Sequence, residues 1–583
     1  MDRRPSTSLT TALARAPLFS YQPDDLPLLQ RIDTAYLRAQ AIGRAWKLTA
    51  HDILTLSPRF WAMHSDNISA VAPASMALLT IQYNLAAGTI APWAEKRAEL
   101  RPILQKIMNF DVSGQFMLTE QAHGLDAVNI ETRADLQEDG SVILNTPNDG
   151  AAKFMPPTIP LPNISMPRYG VVFAKLFVQG EDRGVRPFVV QLSTAKALMP
   201  GIRSRLIPER AGAGPLGHSI TWFDHVKLPS YACLGSFAKP ANPRSAFLQA
   251  TYRISIGGLA LGACAVPTSG LSAYVLGKYS LRRTVMSPNT GELMKIVEFR
   301  TQQIPILHAL AQGFVVNAFV SGSDLLRMVG DEGVRAEVRA GIAAAAKAAM
   351  MMHVQESCIQ LSDRAGAHGL YSHNQVIALQ LEMRGACIAE GDTLVLCIRL
   401  ATELLIGRYT LPAPKYPDSL AARLEAGLFN EALGLLNQIG SQHRSEAFNR
   451  MILPRCKRLV EAIGQRFFWE AAKEAGVEQA LLDVYEAGIV KHSPVWFAMN
   501  AGVVDAEGWE ERAMTRAMEG GCLERWLEMT GAGEYVTAKM MTQEGWHRFV
   551  GGFPLHQGPE RREVGLGDEG GEVQMTGLTR AML

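Results

Sequence analysis

The sequence predicts a mainly helical α+β protein in which a compact β-rich segment separates two helical regions. Three observations predict it. Apolar residues recur at helical spacing up to about residue 110. Turn signals, prolines and short runs of β-formers then crowd residues 112–235. From about residue 245 the helical period returns and persists to about 550.

In the first region Leu28, Leu29, Ile32, Tyr36, Leu37 and Ile42 recur at roughly helical spacing. Residues 93–108 are also amphipathic, and Pro102 either kinks that helix or starts a second one. Asp139-Gly140 is a turn signal ahead of the strand-like residues 141–145. Residues 169–178 are rich in β-formers, 180–184 turn the chain and 186–192 return, which makes a hairpin. Pro156, Pro157, Pro160, Pro162 and Pro167 argue against helix between these elements. Residues 337–355 are alanine-rich and form helix strongly; 390–405 and 424–440 continue the pattern. Beyond Gly551 the chain is glycine-rich and charged, which reads as a flexible tail.

Composition narrows the function. The chain has 583 residues, 48% hydrophobic and 19% charged, enough for a large core. A net charge of +1 gives no basic excess, so nucleic acid is not an expected partner. The seven cysteines are odd in number and form no CxxC, which points to reduced thiols in an intracellular protein. No secretory signal is expected from the N-terminus. Residues 254–276 are uncharged and long enough to cross a bilayer. Pro267, the glycines and small polar residues there read instead as the central helix of a bundle, so no membrane span is expected. The chain ends Arg580-Ala581-Met582-Leu583. Met582 stands where the peroxisomal address wants a basic residue, so there is no clear C-terminal signal for that compartment.

Two apparent motifs carry no chemistry. Gly212-Ala213-Gly214-Pro215-Leu216-Gly217 satisfies GxGxxG, but Pro215 falls where a helix should run and residues 219–223 look extended. That string reads as a turn feeding a strand. His368 and His373 lack flanking Asp, Glu or Cys at ligand spacing, so no metal is expected.

Two short stretches do carry it. The first is Leu118-Thr119-Glu120-Gln121-Ala122-His123-Gly124, followed by Glu131-Thr132. Thr119 can supply a hydroxyl and a backbone N–H from a strand end or loop. The second is Ala389-Glu390-Gly391-Asp392-Thr393, which follows Ala365-Gly366-Ala367-His368-Gly369-Leu370. Asp392 or Thr393 suits the N-cap of the apolar run that follows. Glu390 therefore sits just before a helix, among apolar neighbours, where partial desolvation raises basicity and suits proton abstraction. The alternative is a solvated capping glutamate.

These strings resemble the acyl-CoA dehydrogenase/oxidase superfamily, and more its oxidase branch. The likeness continues at Leu144-Asn145-x-Pro147. At Lys153-Phe154-Met155-Pro156-Pro157 oxidases usually have Lys-Trp-Trp-Pro-Gly, and the spacing is kept. A basic pair at Arg282-Arg283 precedes Phe299-Arg300-Thr301-Gln302-Gln303, and Phe223-Asp224-His225-Val226-Lys227-Leu228-Pro229 matches the string that closes the family's β domain. The resemblance implies an N-terminal helical domain (1–111), a middle β-barrel domain for flavin and substrate (112–240), a helical bundle with the base (241–410), an extra C-terminal helical domain (411–555) and a flexible tail (556–583). It implies FAD, held by Thr119, Pro157, Arg283, Gln302, Gly369 and Asp392, with the arginine suited to a diphosphate. It implies Glu390 as the base that desaturates an acyl-CoA or related acyl thioester, dioxygen as acceptor, a homodimer, and a peroxisomal or cytoplasmic location. Pro157 stands where the family has a flavin-contacting glycine. Proline has no N–H, so that contact is made differently, or flavin binding is weaker or lost. A redox-inactive acyl-binding or partner-binding homologue is therefore the rival, and a flavin desaturase for a polyketide or carrier-bound substrate a third reading.

Overall fold

A computed structural model describes residues 9–20, 26–287, 289–440 and 442–557. Helix α1 (Leu28–Trp46) buries Ile32, Tyr36, Ala39, Ile42 and Trp46. Leu29 and Leu37, expected on the same stripe, are exposed. Helices α2 (Pro73–Leu79) and α3 (Gly88–Ala94) join through a π-helical segment, Thr80–Ala87. Such segments are rare and occur often at functional sites. Pro102 lies in the first turn of α4 (Arg101–Met108), so it starts a second helix rather than kinking one.

The β region is a curled β-sheet domain. Strands β1 (Ser113–Met117), β2 (Arg133–Leu136), β3 (Val142–Asn145), β4 (Lys153–Met155), β5 (Arg168–Val178), β6 (Glu181–Ser193), β7 (Ile202–Leu206), β8 (Ser219–Phe223) and β9 (Val226–Leu228) form two sheets. The six-stranded sheet runs β1-β5-β2-β3-β9, with β6 on the other edge of β5; the three-stranded sheet runs β4-β8-β7. Met117, Leu144, Val172, Leu176, Phe188 and Phe223 fill its core. The β5–β6 hairpin is present, but Gln179 and Gly180, with φ of 50° and 80°, make its turn. That pair of positive φ angles suits a two-residue hairpin loop. Residues 181–184, expected as the turn, belong to β6.

The expected central helix is two helices, α5 (Tyr252–Ala263) and α6 (Ala265–Arg282), broken at Cys264. Pro267 explains the break, because its ring would clash with the carbonyl four residues back. Next come α7 (Arg300–Val320), α8 (Ala336–Arg364), α9 (Val376–Ile388), α10 (Thr393–Leu405), α11 (Leu420–Gln438), α12 (Leu453–Glu474), α13 (Gln479–Lys491) and α14 (Ala506–Met518). Helix α8 is the hub, touching α5, α6, α7, α9, α10 and α12. Among the described residues two stretches are apolar enough to cross a bilayer, 243–282 and 300–320, and both are mostly buried against protein.

The described residues up to Ala538 pack as one compact unit. A second unit begins at Lys539 and holds helix α15 (Gln543–Gly551). The expected tail and the C-terminal address lie, from residue 558 onward, outside the described residues.

Candidate active site

Glu390 occupies the tight turn between α9 and α10. Its φ is +54° and that of Gly391 is +97°. A left-handed non-glycine residue persists only where its surroundings enforce it. Three interactions do so. Asp392 caps α10, accepting from the N–H groups of Leu394 (3.0 Å) and Val395 (3.2 Å). The Thr393 hydroxyl donates back to the Cys387 carbonyl at 2.8 Å. From α8, the buried Lys347 ammonium donates to the carbonyls of Ala389 and Gly391, each at 2.6 Å.

The Glu390 carboxylate faces inward. Its Oε2 is sealed from solvent and has no hydrogen-bond partner among the described residues. It fills the space that a side chain at Gly257 of α5 would need; a Cβ there would overlap Oε2. The amide of Asn84, on the π-helical segment, closes the same spot, 2.7 Å from that Cβ position. Asn84 Nδ2 donates to the Arg253 carbonyl, and its buried Oδ1 has no hydrogen-bond partner among the described residues. Burial pushes the Glu390 carboxyl above its ordinary range, opposed by the Lys347 charge. Burial lowers Lys347 in turn, offset chiefly by Glu390.

The π-helical segment also reaches the first stretch. Gln82 donates to the carbonyls of Ile107 and Val112 and accepts from the Gly114 N–H at the start of β1. Strand β1 then feeds Thr119. Among the described residues neither the Thr119 hydroxyl nor its N–H has an intramolecular partner, while its carbonyl accepts from Phe154 N–H. The loop is pinned from beneath. Lys153 Nζ donates to the Leu118 carbonyl (3.1 Å) and to Glu120 (2.9 Å), both side chains fully buried. Glu120 also accepts from the N–H groups of Glu131 and Thr132.

The other expected cofactor residues are placed as follows. Pro157 is buried, two residues after Met155, whose φ is +81°. The Pro157 carbonyl accepts from the buried guanidinium of Arg168. Gln302 is buried; its Nε2 donates to the Ser280 hydroxyl and the Arg364 carbonyl, so both amide hydrogens are used internally. Gly369 lies in a 3₁₀ turn against α8, where a Cβ would overlap the Ser362 carbonyl oxygen. Arg283 is exposed just past α6. The turn thus brings Glu390 and Asp392 together, and Gln302 and Gly369 meet the end of α8 nearby in sequence to Arg364.

An FAD fits part of this arrangement. The free donors of Thr119 on a pinned loop are what a flavin edge requires, whereas Pro157 offers none. Sequence reasoning assigned no role to Lys347, Asn84 or Gly257. For Lys347 a signal existed, a single charge inside the apolar run 341–352. Glu120 and Lys153 stood in the matched strings without a role.

No family model matches the chain. Human peroxisomal acyl-coenzyme A oxidase 3 is 26% identical over 427 residues, 68% of this chain and 60% of that protein. Acyl-coenzyme A oxidase 3 of Yarrowia lipolytica is 26% identical over 428 residues, 68% and 59% respectively. The chain thus spans about three-fifths of the length of these curated relatives. Among solved structures, acyl-CoA oxidase 3 from Yarrowia lipolytica superposes with a TM-score of 0.74 at 18% identity, covering 93% of this chain and 87% of that one. Acyl-CoA oxidase-2 of Caenorhabditis elegans, bound with FAD, ascaroside-CoA and ATP, gives 0.72 at 14% identity over 93% and 89%. The chain is therefore homologous, at moderate identity, to the acyl-CoA oxidase/dehydrogenase superfamily, and its fold is that of the acyl-CoA oxidases.

Proposed function

We propose that the protein is an FAD-dependent acyl-CoA oxidase-like enzyme that introduces a 2,3-double bond into an acyl thioester. The homology supports an oxidoreductase in general terms. The observation that carries the finer reading is Glu390, a buried carboxylate with an unpartnered oxygen on a left-handed turn. A capping role is already filled by Asp392. A desolvated carboxylate without donors is a stronger base than one in water, which suits removal of a weakly acidic α proton.

Glu390 Oε2 takes the α proton of the thioester. The Glu390 N–H has no intramolecular acceptor among the described residues and is available to the thioester carbonyl. A donor there stabilises the charge that develops on oxygen as the proton leaves. Thr119 offers its hydroxyl and N–H to the flavin. Arg283, exposed past α6, would serve the FAD diphosphate from across a homodimer interface. FAD, when bound, would supply what the side chains lack, an acceptor for the β hydride that dioxygen could reoxidise, taking two electrons and two protons to become hydrogen peroxide.

The test is the visible absorption spectrum of purified protein before and after anaerobic addition of a panel of acyl-CoAs. A flavin band that bleaches with an acyl-CoA, and fails to do so in Glu390→Gln, supports the reading. A flavin band that no acyl-CoA bleaches removes acyl-CoA as substrate. The second reading, a redox-inactive homologue that binds acyl groups, draws on Pro157, which lacks an N–H and whose carbonyl is engaged by Arg168. A folded protein that stays colourless with added FAD would favour it.

A further inference from the structure

We propose that Lys347 is the positioning residue of the base, its ammonium fixing the Glu390 turn through the two carbonyls that flank it. The inference rests on the reading of Glu390 as the base. Three observations support it. Lys347 lies in the middle of α8, buried to 1% exposure, and its ammonium donates to the carbonyls of Ala389 and Gly391, one residue before and one after Glu390. Among the described residues it forms no ion pair, although a buried ammonium normally seeks a carboxylate. Lysine in this position therefore serves a backbone conformation.

The second observation is the room made for it. Gly257 and Gly258 are adjacent on α5, facing the turn. A Cβ at 257 would overlap the carboxylate; a Cβ at 258 would stand 3.0 Å from the Glu390 carbonyl oxygen and 3.2 Å from Lys347 Cδ. Consecutive glycines weaken a helix, so a pair here is explained by the close approach of the Glu390 turn and the Lys347 side chain. One glycine clears the base and the other clears the lysine that braces it.

The third is the conformation held. Glu390 has a positive φ with a bulky side chain, a strained state that persists only where its surroundings enforce it. Two charge-assisted bonds to the neighbouring carbonyls add to the Asp392 cap and the Thr393 hydroxyl in enforcing it. They also turn both carbonyl dipoles toward α8, leaving the Glu390 N–H directed away from an internal partner. The charged and titratable groups that face the ammonium are Glu390, Cys387 and Asp392 around the turn and Cys397 on α10. Of these Glu390 interacts most strongly, and the lysine charge in turn holds the carboxyl lower than burial alone would.

The test uses full-length protein loaded with FAD, with Lys347→Met, Lys347→Arg and Gly258→Ala beside wild type and Glu390→Gln. Flavin content, KM and the anaerobic flavin-reduction rate with an acyl-CoA are measured across pH. Lys347→Met is expected to keep its flavin and its KM while the reduction rate falls about hundredfold. Its acid limb should move up by about one pH unit, since a cation that favoured the carboxylate is gone. Lys347→Arg should recover part of the rate by donating to the same carbonyls. Should Lys347→Met fail to fold, Gly258→Ala presses on the same contact through a small group and should lower the rate about tenfold with the limb moved the same way. Reduction within twofold of wild type in Lys347→Met, or in Gly258→Ala if that variant alone folds, with an unmoved pH profile, overturns the assignment. If wild type is not reduced, or Glu390→Gln is reduced as fast, the reading of the base itself falls, and the two failures are thus told apart.

Discussion

The ammonium of Lys153 and the carboxylate of Glu120 lie 2.9 Å apart with both side chains fully buried, directly beneath the loop that carries Thr119. Lys153 also donates to the Leu118 carbonyl, and Glu120 takes two backbone N–H groups from residues 131 and 132. The pair thus ties β4 to both ends of the loop. This geometry gives the Thr-Glu and Lys positions of the matched strings a shared physical task, fixing the backbone on which Thr119 presents its free donors.

Breaking that pair should be costly in one direction only. Lys153→Met leaves a buried carboxylate without its counter-charge, which costs about 3–5 kcal/mol. The double variant Lys153→Met, Glu120→Gln removes both charges and should regain part of the loss. Denaturant midpoints of the single and double variants measure this. Equal midpoints would mean that the ion pair contributes nothing beyond its backbone bonds.

Gly257→Ala separates stability from function. The atoms nearest the added Cβ are the far end of the Glu390 side chain and the Asn84 amide, both ends of side chains rather than backbone, so the fold can absorb it. Alanine in a helix interior is favoured over glycine by about 0.5–1 kcal/mol. The variant should therefore melt no lower than wild type. The carboxylate, however, must move by an amount comparable to a bond length, and a displacement of that size costs about hundredfold in rate. Thermal melts together with anaerobic flavin reduction check both halves. A variant that keeps its rate would show that the carboxylate works from another position.

How much of this was legible in the sequence follows from the range of each interaction. The order helix, sheet, helix was readable because hydrophobic period is local, and Glu390 stood out because Gly391 and the capping Asp392 adjoin it. The break at Cys264 was not anticipated, although Pro267, three residues on, supplies its cause. Gln179-Gly180 is a two-residue turn without the usual Asn-Gly or Asp-Gly signal, so the sequence suggests a longer loop. Lys347 and Gly257 meet the base only across helices, 43 and 133 positions away in the chain. No local pattern encodes such a meeting. The π-helical segment that carries Asn84 has no separate sequence signature either, since its residues look helical.

Pro157 offers a directed test of the cofactor site. Its nitrogen has no hydrogen to donate, and a glycine there would restore one N–H. A single new hydrogen bond is worth about 1 kcal/mol, roughly fivefold in affinity. Pro157→Gly should therefore bind FAD about fivefold more tightly, and Thr119→Val more weakly by a similar factor. Fluorescence titration with FAD reads both. An unchanged affinity in Pro157→Gly would place the flavin edge away from residue 157.

Glu390→Gln should lose activity and gain stability, with a definite pH signature. The native carboxyl is pushed above its ordinary range by burial. As pH rises, the unfolded chain therefore releases this proton first. Between the ordinary glutamate range and the raised native value the unfolded state binds fewer protons, and the native state loses stability with rising pH. Glutamine does not titrate, so the variant escapes that loss. Wild type and variant should have similar denaturant midpoints in mild acid, where both side chains are neutral. At neutral pH the variant should be the more stable by about 1–3 kcal/mol, the cost of a buried group without its partner. Lys347 keeps its two carbonyl acceptors in the variant, so no second orphan is created. The same protein should show flavin reduction slowed by about a thousandfold. Urea titrations at two pH values, read beside the anaerobic bleaching rate, decide the matter. A midpoint difference that does not change with pH would mean that the carboxylate ionises at its ordinary value, and the argument from burial to basicity would fail with it.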